Sequence, residues 1–162
     1  MEQLVFDSGM ERYEIVDVSG KVLGTVEFNP RDLNFYARAK KIYAEIIKLI
    51  QDAQILAEEV PDGASEAEYP DITGQIEAVD KKIKAKLDEL AGCEISSVVF
   101  GDTNCMSLGR NGKHLCRNLL EMLAGHIEKK FEEQKAVTEK LLAEYTEEYD
   151  AEAGDTAEGT AN

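Results

Sequence analysis

The chain has 162 residues, a net charge of −15 and a hydrophobic fraction of 43%. That suffices for one domain with an ordinary core, built mainly from Ile, Leu and Val because Trp is absent and aromatics make up only 7%. The acidity excludes a protein that neutralises phosphates with a basic footprint, and no apolar run is long enough to span a bilayer.

The charge is unevenly placed. Residues 52–71 hold seven acids and residues 147–162 hold six, with no Lys or Arg in either stretch. These thirteen account for most of the excess, so the remainder is close to neutral. A nucleic-acid mimic should array acids on a folded face, whereas a connector and a tail suit a solvating role. Two basic clusters, Arg31, Arg38, Lys40, Lys41 and Lys81, Lys82, Lys84, Lys86, are interspersed with acids or lie beside the connector and read as solvated faces. Met1–Phe6 lacks the basic start and long apolar core of a secretion signal. Three sparse cysteines, Cys93, Cys105 and Cys116, suit a reducing cytosol better than a disulfide framework. The expected location is the cytoplasm of a bacterial cell, with no membrane and no nucleic-acid partner.

In chain order, residues 1–11 form a lead-in. Two alternating runs, Tyr13 to Val18 and Val22 to Phe28, flank Ser19-Gly20, where Gly supplies the positive φ of a tight hairpin turn. A lone hairpin is marginal in water, so it must lie on helices. Asn29 and Pro30 predict a helix N-cap and first helical position, with Asp32 facing the positive end of the dipole. The seam Phe35, Ala39, Ile42, Ile46, Leu49, Ala53, Leu56 steps by fours and threes and predicts a helix of about eight turns ending near Glu59. An acidic connector runs to Pro70. A second helix, capped by Asp71, carries Ile72, Ile76, Val79, Ile83, Leu87 and Leu90 and stops at Gly92. Two such seams predict an antiparallel pair.

Cys93 to Phe100 reads as a small strand or buried loop, and 101–112 as a Gly/Asn/Ser-rich loop. A third helix starts near Lys113 with Leu115, Leu119, Met122, Leu123, Ile127 and Phe131 buried. Beyond Phe131 the stripe thins to Val137, Leu141 and Tyr145, so this half should project or pack on a partner. The expected fold is α+β and mainly helical: an N-terminal β-hairpin followed by a bundle of about three long helices. The domain is 1–146, and 147–162 is expected to be a disordered acidic tail.

Chemistry is sparse. Ser107 to His114 lies where a phosphate loop would, but Ser107 replaces the first Gly and His114 the magnesium-binding Ser or Thr. Cys93, Cys105, His114 and Cys116 lack zinc spacing. Cys105 beside His114 or His126 would need an orienting third group to make a nucleophile. The expectation is therefore no enzyme, with no catalytic residue, cofactor or metal.

The helix entry Phe28-Asn29-Pro30-Arg31-Asp32-Leu33-Asn34-Phe35 and the loop Phe100-Gly101-Asp102-Thr103-Asn104, together with the hairpin and acidic connector, resemble small tail-module proteins of phages and prophages of Gram-positive bacteria, the tail assembly chaperones. The likeness covers roughly residues 11–135. It implies a chaperone that keeps tape-measure and tail-tube proteins soluble before the tail polymerises, with self-association left open. The residues expected to meet a partner are Phe35, Ile42, Ile46 and Leu49 on the body and Leu141 and Tyr145 on the last helix. The competing expectation is an acidic inhibitor or DNA-mimic module.

Overall fold

The computed structural model describes residues 1–60, 62–63 and 71–159, so most of the expected acidic connector lies outside the described residues. The fold is α+β and mainly helical, a two-stranded hairpin followed by helices. Strand β1 (Glu11–Val16) pairs antiparallel with β2 (Val22–Phe28), Tyr13 opposite Val26 and Ile15 opposite Gly24. Helices α1 (Asn34–Glu58), α2 (Ile72–Ala91), α3 (Ile95–Phe100) and α4 (Leu115–Gly159) follow.

The hairpin turn falls where Ser19-Gly20 predicts it, with Gly20 at φ 83°. The strand stops two residues earlier than the alternation suggests. Asp17 turns the chain instead, its carboxylate accepting from the Ser19 and Lys21 backbone N–H groups at 2.8 and 3.0 Å. Ile15, Val26 and Phe28 form the buried face of the hairpin. Gly24 lets α3 lie directly on the strand: a Cβ there would stand 2.9 Å from Val98 Cγ1.

The entry to α1 departs from expectation. Asn29 accepts from the Arg31 N–H at 2.9 Å and closes a turn around buried Pro30 rather than capping the helix. The Asp32 carboxylate then takes the Asn34 N–H at 2.9 Å, and the helix begins at Asn34. Two successive side-chain-to-backbone turns therefore replace one cap. Downstream, α1 and α2 run antiparallel, because Arg38 reaches the Leu90 carbonyl while Glu45 pairs with Lys86 at 2.8 Å. The C-cap of α2 is Gly92, left-handed at φ 73°, as its sequence position predicts.

Residues 95–100 are helical, not a strand or loop. The decisive group comes from α2: the Asp88 carboxylate accepts from both the N–H and the hydroxyl of Ser96 at 2.7 Å. It thus caps α3 from a neighbouring helix, which propensity within Val98-Val99 does not reveal. Eight residues earlier on α2, Asp80 accepts the Cys105 N–H at 2.7 Å and pairs with Lys84 at 2.9 Å, fixing the following loop. Burial works against the Asp80 charge, but these donors hold its carboxyl below the usual carboxylate range.

A third anchor ties the hairpin to α4. Glu11 receives the Tyr13 hydroxyl at 2.6 Å, Lys130 of α4 at 3.0 Å, and Arg31. The Tyr13 bond, then Lys130 and Arg31, pull the Glu11 carboxyl from 4.5 to about 2. Its folded value is therefore depressed, so the stabilisation is present above about pH 4.5 and is lost as pH falls toward about 2. Glu11→Gln should cost about 1 kcal/mol near neutral pH and flatten stability over that acid window, as checked by urea denaturation at several pH values. Gly24→Ala should cost about 1–3 kcal/mol through overpacking, and Val98→Ala in the same chain should recover part of it, as read by a double-mutant cycle.

Candidate interaction face

Helix α4 spans 45 residues, about 68 Å at 1.5 Å per residue. Helices α1 and α2 have only 25 and 20 residues. The first third of α4 is packed: Cys116, Leu119, Leu120, Leu123 and Ile127 are buried in the core. At the edge of the body, Phe131 meets Tyr36 with ring centroids 5.2 Å apart. From residue 132 to 154 every position is exposed.

The apolar pattern does not stop there. Val137, Leu141, Tyr145 and Tyr149 recur at intervals of four, 52%, 49%, 70% and 74% exposed, with Leu142 beside them at 61%. On a helical projection Val137, Leu141 and Tyr145 fall at the angles of Leu119, Leu123 and Ile127, and Tyr149 at that of Phe131. One face therefore serves as core in the proximal part and is uncovered in the distal part. Around its far end Leu142, Tyr145, Thr146 and Tyr149 line a shallow hollow of about 460 Å³, bordered by Glu148 and Glu152.

The six residues expected to grip a partner fall into two groups. Phe35, Ile42 and Ile46 are core, and Leu49 is half-buried against it. The first three are therefore buried in this chain's own core, where α2 and α4 lie against the α1 seam. Leu141 and Tyr145 are exposed on the uncovered face. Leu142 and Tyr149 belong with them but were not singled out from sequence. Tyr149 falls within 147–162, expected to be a disordered tail, yet α4 continues through it to Gly159. The residues there, Glu147-Glu148-Tyr149-Asp150-Ala151-Glu152-Ala153, include enough Glu and Ala to extend a helix already nucleated upstream.

The polar candidates occupy structural positions. Loop 101–114 closes on itself, with the N–H groups of Gly109, Leu115 and Cys116 bonded to the carbonyls of Lys113, Ser107 and Cys105 at 2.8–2.9 Å. A phosphate cradle would need such donors to converge on open space. Cys105 and Cys116 are buried. Contact with Cys116 and burial push the Cys105 thiol far above its usual range, away from a reactive thiolate. His114 Nδ1 lies 2.6 Å from the Met106 carbonyl. His126 stands edge-on to Tyr13 at 4.7 Å, and burial, then Lys130, favour its neutral form. Among the described residues no group of three or more His, Cys, Asp or Glu could hold a metal ion, and no helix is long and apolar enough to cross a membrane.

A second concavity, about 750 Å³, opens between the hairpin turn, α3 and the start of α4. Its floor is Ile15, Leu23, Val99, Phe100, Leu119 and Met122, with Arg110 at the rim. It can take an apolar group; of the polar side chains that also line it, Asp17 is engaged by the hairpin turn, and Asn111 and Asn118 bond to each other at 2.9 Å.

No family model, curated protein or solved structure matches the chain.

The two groups of predicted grip residues are separable by stability. Ile42→Ala and Ile46→Ala should each cost about 2–4 kcal/mol in denaturant unfolding, whereas Leu141→Ala and Tyr145→Ala should shift it by less than about 0.5 kcal/mol.

Proposed function

We propose that this chain is a non-enzymatic binding protein whose distal α4 face holds another polypeptide. Its role would be that of a phage-tail assembly chaperone acting in the bacterial cytoplasm. The observation that carries the reading is the continuity of the α4 face: Leu119, Leu123 and Ile127 bury it, and Val137, Leu141, Tyr145 and Tyr149 leave it open. An exposed, contiguous helical stripe is suited to laying against a helix of a client. The resemblance at Asn29–Phe35 and Phe100–Asn104 names the clients: tape-measure and tail-tube proteins awaiting polymerisation. The acids along α4 would keep the complex soluble.

The ordered acids on α4 also favour a second reading, an acidic inhibitor or DNA mimic. Carboxylates at helical spacing are what such a mimic requires. Leu141, Leu142 and Tyr145 among them suit it less well, since a phosphate-like surface has no use for an exposed apolar seam.

Co-expression with a tape-measure protein or tail-tube protein from the same phage tail module tests the proposal. The chain should co-purify with one of them and raise its soluble yield, and Leu141→Asp with Tyr145→Asp should abolish both effects. Failure to retain either client would count against the chaperone. Retention of a DNA-binding protein, unaffected by those substitutions, would favour the mimic.

A further inference from the structure

From the arrangement of charge around the uncovered α4 face we infer the chemistry of its occupant: an amphipathic helix of another polypeptide carrying Lys or Arg beside its apolar seam, and not a second copy of this chain. The inference rests on reading α4 as a docking face and deepens it.

Residues 132–152 carry eight carboxylates against two lysines, Lys135 and Lys140. Lys135 already lies 3.9 Å from Glu139. The carboxylates are not scattered evenly. At 100° per residue, Glu133, Glu144 and Glu148 fall in one row immediately beside Val137 and Leu141. Glu148 and Glu152 border the hollow formed by Leu142, Tyr145 and Tyr149. An approaching helix therefore meets a greasy strip edged by negative charge.

A second copy would bring the same excess of acids to that edge. In an antiparallel pair Lys135 and Lys140 of each copy can meet acids of the other, but eight carboxylates against two lysines leave an excess of six negative charges per copy along the seam. A helix with basic residues flanking its apolar seam meets complementary charge at the same positions. The apolar strip supplies the contact area and the acidic edge selects the partner.

The test uses the full chain and three synthetic helical peptides of about 20 residues. One has a Leu face flanked by Lys, one the same face flanked by Glu, and one the same Leu and Lys composition with no continuous apolar face. Fluorescence anisotropy should show the Lys-flanked peptide binding at least about tenfold more tightly than either of the others. Raising salt from about 50 to about 500 mM should weaken that binding several-fold. Glu144→Gln with Glu148→Gln should weaken it a few-fold. Leu141→Asp with Tyr145→Asp should weaken it at least about tenfold although the chain becomes more negative, which separates docking from counter-ion attraction. All four positions are exposed, so the unfolding midpoint of the packed body should be unchanged.

Equal binding of the Lys-flanked and Glu-flanked peptides would overturn the inferred partner chemistry and leave the docking face standing. Equal binding of the peptide without an apolar face, insensitive to Leu141→Asp with Tyr145→Asp, would overturn both. So would failure of all three peptides to bind. Self-association in sedimentation that those substitutions abolish would show the occupant to be a second copy and overturn the inference.

Discussion

The apolar face of α4 is longer than the body that covers it, and the rest of the molecule is arranged around that mismatch. A helix of 45 residues cannot be enclosed by partners of 25 and 20 residues and a hairpin of two short strands. The body buries α4 as far as Ile127 and touches Phe131, and from residue 132 to 154 every position is exposed among the described residues. Helices in water owe most of their stability to tertiary packing of an apolar face, so an uncovered stretch gains most from acquiring a partner. The ordered body acts as the nucleus from which the distal part extends.

That body is locked by carboxylates that reach between elements. Asp88 caps α3 from α2, Asp80 holds the loop that leads into α4, and Glu11 gathers Tyr13, Arg31 and Lys130 into one knot at the base of the hairpin. Each satisfies buried or half-buried donors that local structure leaves open, and each sets the position of an element that lacks a sufficient core of its own. Lys130 is tied to Glu11 one position before Phe131. The ionic anchor and the edge of the core thus coincide, and they define where the body ends and the projecting helix begins.

Much of this architecture was legible in the sequence. The hairpin turn at Gly20, the α1 seam from Phe35 to Ala53, the α2 seam and the Gly92 cap follow from local rules, because period and turn chemistry are local properties. The start of α1 was misread because Asn29-Pro30 satisfies the rule for a helix start equally well as a turn, and only Asp32, three residues on, settles which. Residues 95–100 were misread because their cap, Asp88, belongs to another helix. Phe35, Ile42 and Ile46 were assigned to a partner because periodicity identifies an apolar face without saying what covers it. The same limit hid the extent of the candidate site. Leu142 and Tyr149 sit at helical spacing with Leu141 and Tyr145, but the acid-rich composition after Glu147 resembles a disordered tail and masked the continuation of the stripe.

Whether the distal half of α4 is an uncovered surface awaiting a partner is measured residue by residue by amide hydrogen exchange. In the free chain, amides from 132 to 150 should exchange rapidly, far faster than those of 116–127, because only local opening of an unpacked helix is needed. On adding a helical client, protection should rise across 137–149 and change little in α1 and α2. Distal amides already as protected as the core in the free chain, or protection by the client confined to the groove between the hairpin and α3, would contradict it.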